Sequence, residues 1–472
     1  MTAPPTLEVD VAVVGGGSAG MAAYRAAVAA GARTVLIEGG DFGTTCARVG
    51  CMPSKLLIAA ADAAHAGDTA SDFGLPAPAP RAGDALAGVM DRVRRERDRF
   101  VGFVLREVEA YPATDKLAGV ARFVGDHVLV VTHANGDATR VHAGRIVLAT
   151  GSVPVVPREL DAVRALCLTT DSLFELPHLP ASAAIVGAGV VALELGQALH
   201  RLGVRVRLFG RGGRLGVLTD PEVHRQACAV WADALPLECD ARAVFHADGG
   251  EVRVDYVTRD GSRASERFAC VIAAAGRAPR LPAGLETTSW GAAVAAGAWG
   301  FDRTTMQVGA SPVFVAGDAS GEDSLLHEAV DEGRIAGRNA ASFPRVRGGE
   351  RRARLSIAFT HPQMAIVGGG WALAQRAGDV VVGQASFANQ GRSRVMLRNR
   401  GLLRVYADRA GFFLGAEMFG PDAEHLGHLM AWALQARMRI DQMLSMPFYH
   451  PVVEEGLRTA LRDARRSART EA

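Results

Sequence analysis

The sequence predicts an α/β chain with two dinucleotide-binding units of the strand–turn–helix–strand type, followed by a smaller α+β region. Three observations predict it. A glycine-punctuated pattern of β-branched run, turn, Ala-rich helix and second β-branched run occurs at 9–40 and recurs at 182–216. Two further apolar runs end in Gly beside a small polar residue or an acid, as strands do where they meet a ligand. From about 346 onward the pattern changes to strands such as "GLLRVYAD" and "FFLGAEMF", then helices.

The first unit opens with a strand over Val9–Val14, turns on Gly15, Gly17 and Gly20, runs on as a helix, and returns as a strand over Thr34–Ile37 closed by Glu38. Gly15 makes the tight turn, Gly17 lets backbone approach a pyrophosphate, and Gly20 allows close helix packing. The helix N-terminus offers amides and a positive dipole to phosphates. Glu38, about twenty residues on, is placed to hold a ribose hydroxyl. In the second unit Gly187, Gly189 and Ala192 occupy the same positions, and the returning strand spans Val204–Phe209. There the closing acid is missing: Gly210 takes its place and Arg211 follows. Two such Rossmann-like units imply two dinucleotides, or one dinucleotide exchanging electrons with a flavin dinucleotide. Between and after them, "RIVLATGS" delivers Thr150, Gly151 and Ser152 to a sheet edge, and "VFVAGDAS" delivers Gly317 and Asp318. A Pro-rich loop is expected over 71–84 and an amphipathic, charge-laced helix over 91–109.

"GTTCARVGCMPSK" holds Cys46 and Cys51, two of only six cysteines. On a regular helix residues five apart have Cα atoms roughly 8–9 Å apart, beyond the reach of about 7 Å that a disulfide tolerates. The pair can bond only across a distorted turn, for which Gly50 and Pro53 supply the means. Thiols at a helix N-terminus also have stabilised thiolates. No second Cys or His pair follows with metal spacing, so a metal site is not expected; two small buried residues remain the plain alternative. Near the C-terminus "PFYHPVVEEGL" sets His450 before Pro451 with Glu455 at the next helix start, an arrangement able to orient an imidazole base, or simply an interface histidine.

The composition bounds the partners. With 472 residues, a net charge of +2 and no long apolar run, neither nucleic acid nor membrane is expected. The N-terminus lacks the basic and apolar regions of a secretory signal, so a cytoplasmic protein is expected. Fifty arginines stand against two lysines, Lys55 and Lys116, so each lysine asks for a reason.

In their order along the chain, the first fingerprint, "GTTCARVGCMPSK", "ATGS", the second fingerprint, "GRAP", "VFVAGDAS" and "HPVVEE" resemble the flavin-dependent pyridine nucleotide–disulfide oxidoreductases, most of all the dihydrolipoamide dehydrogenase branch. The resemblance covers essentially the whole chain. It implies an FAD-binding domain in two parts, 1–153 and 276–345, an NAD(P)-binding domain at 154–275 and a dimerisation domain at 346–472. It makes Cys51 the thiol beside the flavin, Cys46 the interchange thiol, and His450 with Glu455 the acid–base pair, acting across a homodimer. It pairs Lys55 with Glu194 near the flavin, and adds cofactor contacts at Thr45 and Gly276. The substrate it implies is a small or protein-bound dithiol or disulfide of the lipoyl type.

The chain departs from the family's pattern in three places. Thr44 and Thr45 follow Gly43 where two glycines are usual, Val452 replaces the threonine after His-Pro, and Phe448 replaces a common histidine. The tail "RDARRSARTEA" lacks the cysteine pair expected of a mercuric reductase or a large thioredoxin reductase. A glutathione-reductase-like enzyme using NADPH is the alternative within the class. A flavin oxidase or transhydrogenase, or a non-catalytic FAD subunit, are the alternatives outside it. Arg211, with Arg214 nearby, leans the nicotinamide towards NADP, unless Arg211 is merely exposed. Which dithiol is used, and in which direction, is not legible.

Overall fold

The computed structural model describes residues 4–76, 86–258, 260–291 and 300–470. The chain divides into two compact units.

The first unit comprises Met1–Pro53, Val93–Val155 and Arg277–Arg352. Its seven-stranded sheet runs in the order Lys116–Ala118, Thr34–Glu38, Thr6–Val14, Ala138–Leu148, Val128–Thr132 and Val120–Gly125, with Val313–Val315 also pairing to Ala138–Leu148. The central pairings are parallel, and the last two strands turn back antiparallel. The apolar run of the first strand is continuous because both its faces are covered. Ala12 and Val14 pack into one core, Val11 and Val13 into another on the opposite face. Helices Ser18–Ala29 and Leu326–Ser342 cover that second face. They approach so closely that a Cβ on Gly333 or Gly337 would lie 2.1 Å from the carbonyl oxygen of Ala19 or Ala23.

The second unit comprises Ser54–Arg92, Val156–Gly276 and Ala353–Ala472. It contains a parallel sheet in the order Leu237–Glu238, Arg205–Phe209, Ser182–Val186, Cys270–Ala273 and Cys167–Leu168. A three-stranded antiparallel sheet, Ala243–Asp248, Glu251–Val257 and Arg263–Phe268, shares a core with it. The C-terminal part forms an antiparallel sheet in the order Leu355–Ala358, Gln363–Val367, Phe413–Gly420, Leu402–Asp408 and Val380–Ser386. Helices Ala423–Gln435 and Glu455–Thr470 pack on it.

Two expectations need adjusting. The stretch expected as a loop from 71 begins in a short 3-10 turn, Ala70–Phe73, which Gly74 ends with a left-handed backbone; its residues 77–84 lie outside the described ones, as do the last two residues of the tail. The charge-laced helix starts earlier than expected, at Ala87, and ends at Glu109. Lys116 explains that end. Its ammonium donates to the carbonyls of Val108 at 2.9 Å and Glu109 at 3.3 Å, closing helix acceptors that lack an intrahelical partner.

Candidate functional site

In the first cradle Gly15 adopts φ +110, and a Cβ there would lie 2.1 Å from the Ala149 carbonyl oxygen. Only glycine permits this turn. Helix Ser18–Ala29 starts from Gly17, beside which the space is open. Glu38, at the end of the adjacent strand, accepts the amides of Gly16 at 2.6 Å and Gly40 at 2.8 Å. Its carboxylate is therefore pinned beside the turn before any ribose arrives. An open helix N-terminus flanked by a fixed carboxylate suits a dinucleotide.

The other strand ends of this unit meet in one network. The Ser152 hydroxyl donates to Asp318 at 2.5 Å. Arg277 donates to the Ser152 hydroxyl at 2.8 Å and to its carbonyl at 2.9 Å. Thr150 donates to the Arg280 carbonyl at 2.5 Å. Behind Asp318, the Gly317 amide donates to Glu332 at 2.8 Å. No local signal marks Arg277, which follows Gly276 in "GRAP", because its partner Ser152 lies 125 residues away along the chain.

The cysteines flank a helix break. Thr44 caps a short helix, Thr45–Arg48, by accepting the Ala47 amide at 3.1 Å. Val49 and Gly50 interrupt it, and a new helix runs Cys51–Asp68. Gly50 is crowded against Cys46, whose Cα would be 3.3 Å from an added Cβ. The regular helix that would hold the two cysteines apart is absent. Cys46 is partly buried and Cys51 exposed. Thr44 has φ +60, a backbone that glycine adopts without strain.

In the second unit Lys55 and Glu194 are joined, Nζ to Oε2, at 2.7 Å. Glu194 is 4% exposed and accepts the Phe359 amide through its other oxygen at 2.8 Å. The Lys55 ammonium also lies 4.7 Å from the centre of the Phe359 ring. Carboxylate and ring together hold a compact cation in place. No local signal marked Phe359, since only the fold brings it to Lys55.

The second cradle repeats the first. Gly187 has φ +132, Gly189 starts helix Val190–Arg201 with open space beside it, and Ala192 is fully buried. At Gly210 a Cβ would lie 2.7 Å from the Cys239 carbonyl oxygen and 2.8 Å from the Ala188 Cβ. A closing acid is thus sterically excluded, not merely missing. Arg211 forms an ion pair with Glu159 at 2.6 Å, and Asp240 accepts the Gly212 amide at 2.8 Å. His450 stands in the same unit: its Nδ1 lies 2.9 Å from Glu455, which Arg458 also holds at 2.7 Å, and the imidazole is 80% exposed. The carboxylate orients the ring through Nδ1 and leaves Nε2 as the other nitrogen of the exposed imidazole.

The site residues therefore fall into two sets. Gly15, Gly17, Gly20, Glu38, Thr45, Cys46, Cys51, Thr150, Gly151, Ser152, Gly317 and Asp318 belong to the first unit. Lys55, Gly187, Gly189, Glu194, Arg211, Gly276, His450 and Glu455 belong to the second. Among the described residues no helix is long and apolar enough to cross a membrane.

The chain is similar to known proteins along nearly its whole length. Residues 9–333 match the family model described as pyridine nucleotide-disulphide oxidoreductase, and residues 355–461 match the model of that family's dimerisation domain. A mercuric reductase of Acidithiobacillus ferrooxidans is 30% identical over 464 residues, covering 96% of this chain and 82% of the relative. A dihydrolipoyl dehydrogenase of Bacillus subtilis (strain 168) is 28% identical over 470 residues, covering 96% and 98%. Among solved structures, LpdA from Mycobacterium tuberculosis superposes with a TM-score of 0.79 at 22% identity, over 96% of this chain and 99% of that one. The HOCl-induced flavoprotein disulfide reductase RclA from Escherichia coli does so with 0.77 at 20% identity, over 96% and 99%.

Proposed function

Since this chain belongs to the pyridine nucleotide-disulphide oxidoreductase family, whose members use FAD and NAD(P), we propose that it exchanges electrons between a dihydrolipoamide-type dithiol and NAD(P) through a Cys46–Cys51 redox disulfide. The observation that carries this reading is the helix break between the two cysteines, which removes the geometric obstacle to their bonding. FAD fits the first cradle, held by the Gly15–Gly20 turn, Glu38 and Asp318; NAD(P) fits the second. FAD, when bound, supplies a two-electron route between the cysteines and the nicotinamide.

The residues' own chemistry follows. His450, oriented by Glu455, takes a proton from one substrate thiol. The thiolate attacks the Cys46 sulfur, a mixed disulfide forms, and Cys51 leaves as a thiolate. The second substrate thiol attacks the substrate sulfur of that mixed disulfide and releases Cys46, which takes up the second thiol's proton. The substrate departs as a disulfide, oxidised by two electrons, and the cysteine pair is reduced by two. The protein works as a cytoplasmic homodimer in which His450 serves the cysteines of the second copy. The FAD domain comprises 1–153 and 276–345, the NAD(P) domain 154–275 and the dimerisation domain 346–472.

Turnover measured in parallel with dihydrolipoamide, glutathione disulfide, mercuric ion and oxygen tests the proposal. Dihydrolipoamide oxidation is expected to have the highest kcat/KM. A glutathione- or mercury-dominated profile would reassign the substrate, and oxygen as the sole acceptor would reject the disulfide chemistry.

A further inference from the structure

Glu417 lies in the strand Phe413–Gly420 of the C-terminal sheet and is fully buried. Its two carboxylate oxygens take four hydrogen bonds, and among the described residues it forms no ion pair. Oε2 accepts the amides of Thr219 at 2.8 Å and Asp220 at 2.9 Å. Oε1 accepts the Trp371 amide at 2.8 Å and the Thr219 hydroxyl. The backbone is shaped to admit this carboxylate: a Cβ on Gly370, where φ is +63, would lie 2.3 Å from Oε1. A buried charge held only by converging donors is costly to disturb, because each donor left behind is unsatisfied.

What Glu417 holds is the far end of the segment Gly210–Asp220, which follows the second nucleotide strand. The start of that segment is tied by the Gly210 amide to the Glu238 carbonyl at 2.7 Å and by the Gly212 amide to Asp240 at 2.8 Å. Its middle is tied by the Gly216 amide to the carbonyl of Ala188, inside the second fingerprint turn, at 2.7 Å. Beyond Glu417, Asp220 is itself fully buried, caps helix Pro221–Ala234, and binds Arg404 at 2.7 Å and the Tyr406 hydroxyl at 2.8 Å. The segment carrying Arg211 and Arg214 is therefore stretched between the fingerprint turn and a carboxylate of another sheet.

We propose that Glu417 is a positioning residue for the nicotinamide dinucleotide: it fixes Gly210–Asp220 against the second fingerprint turn, so that cofactor affinity is set from the C-terminal sheet. This rests on the second cradle being the nicotinamide site. Glu417→Gln preserves shape but turns an amide NH2 towards converging N–H donors. In the FAD-loaded enzyme the variant is expected to raise KM for the preferred nicotinamide, and Kd for its oxidised form, about tenfold. FAD content should stay at the wild-type level and kcat at saturating nicotinamide within about twofold. Amide hydrogen exchange over 210–220 should be faster. Thr219→Ala, which removes only the hydroxyl donor, is expected to give the same pattern at about three- to fivefold and decides the matter if Glu417→Gln does not fold. A purely structural role would lower FAD content and kcat as well as raise KM. Unchanged nicotinamide affinity in a folded variant overturns the inference and leaves the function standing; wild-type protein that binds neither NAD nor NADP overturns both.

Discussion

Two cysteines that differ in exposure are expected to differ in role. If Cys51 is the thiol beside FAD, Cys46→Ser should leave its thiolate there and give a long-wavelength charge-transfer absorbance with oxidised FAD, and Cys51→Ser should give none. Identical spectra for the two variants would sink the assignment. The nicotinamide preference is also expected to turn on single residues. Gly210 has no room for the acid that selects a free 2′-hydroxyl, while Arg211, paired with Glu159 at 2.6 Å, offers a guanidinium that a 2′-phosphate can claim. NADP should be preferred, and Arg211→Ala should lower kcat/KM for NADPH about tenfold while sparing NADH. A tenfold NAD preference that Arg211→Ala leaves unchanged would reject this reading. The lysines make the complementary point: Lys55 and Lys116 each place a compact ammonium, one against a carboxylate and a ring, the other against helix-end carbonyls.

Helix Leu326–Ser342 carries a buried charge cluster. Arg351 binds Glu328 at 2.7 Å and Glu332 at 2.6 Å, with Glu322 at 3.8 Å. Burial pushes the Glu332 carboxyl up to about 7, against the opposing pull of Arg351 and of the Gly317 amide. An acid whose pKa is raised on folding contributes its stability fully below its ordinary value of 4.5 and loses it as the pH climbs through about 7. Glu332→Gln abolishes that titration. Relative to wild type the variant should gain about 2–3 kcal/mol between pH 5 and pH 8.5, read as a change in the difference of their Tm values. A Tm difference that is the same at both pH values would refute the assignment.

At the scale of the whole molecule, the cysteine pair belongs to the first unit and His450 with Glu455 to the second, while residues 355–461 match a dimerisation domain. A base has to come within hydrogen-bond reach of the thiol it serves. If the second copy supplies it, a dimer of one Cys46→Ser chain and one His450→Ala chain contains one intact site and one doubly broken site. Mixed dimers refolded from the two inactive parents should regain up to half the wild-type activity. A mixture that stays inactive would assign His450 to the cysteines of its own chain.

What the sequence determined by itself is whatever depends on short-range order. Both fingerprints, the helix start at Glu455 beside His450, and the strands Ala138–Leu148 and Val313–Val315 that lead towards Ser152 and Gly317 follow from local turns and periodicity, which neighbouring residues dictate. Sequence spacing also showed that Cys46 and Cys51 needed a distorted turn, although not that the helix would stop at Arg48 and restart at Cys51. The rest required the fold, because it consists of contacts between residues far apart along the chain. Arg277 on Ser152, Phe359 on Lys55, Glu332 on the Gly317 amide and Glu417 on Thr219 each join separate elements. The exclusion of an acid at Gly210 is of the same kind. Sequence shows only that glycine stands there, and the tertiary structure supplies the reason: the Cys239 carbonyl and the Ala188 methyl already occupy the space.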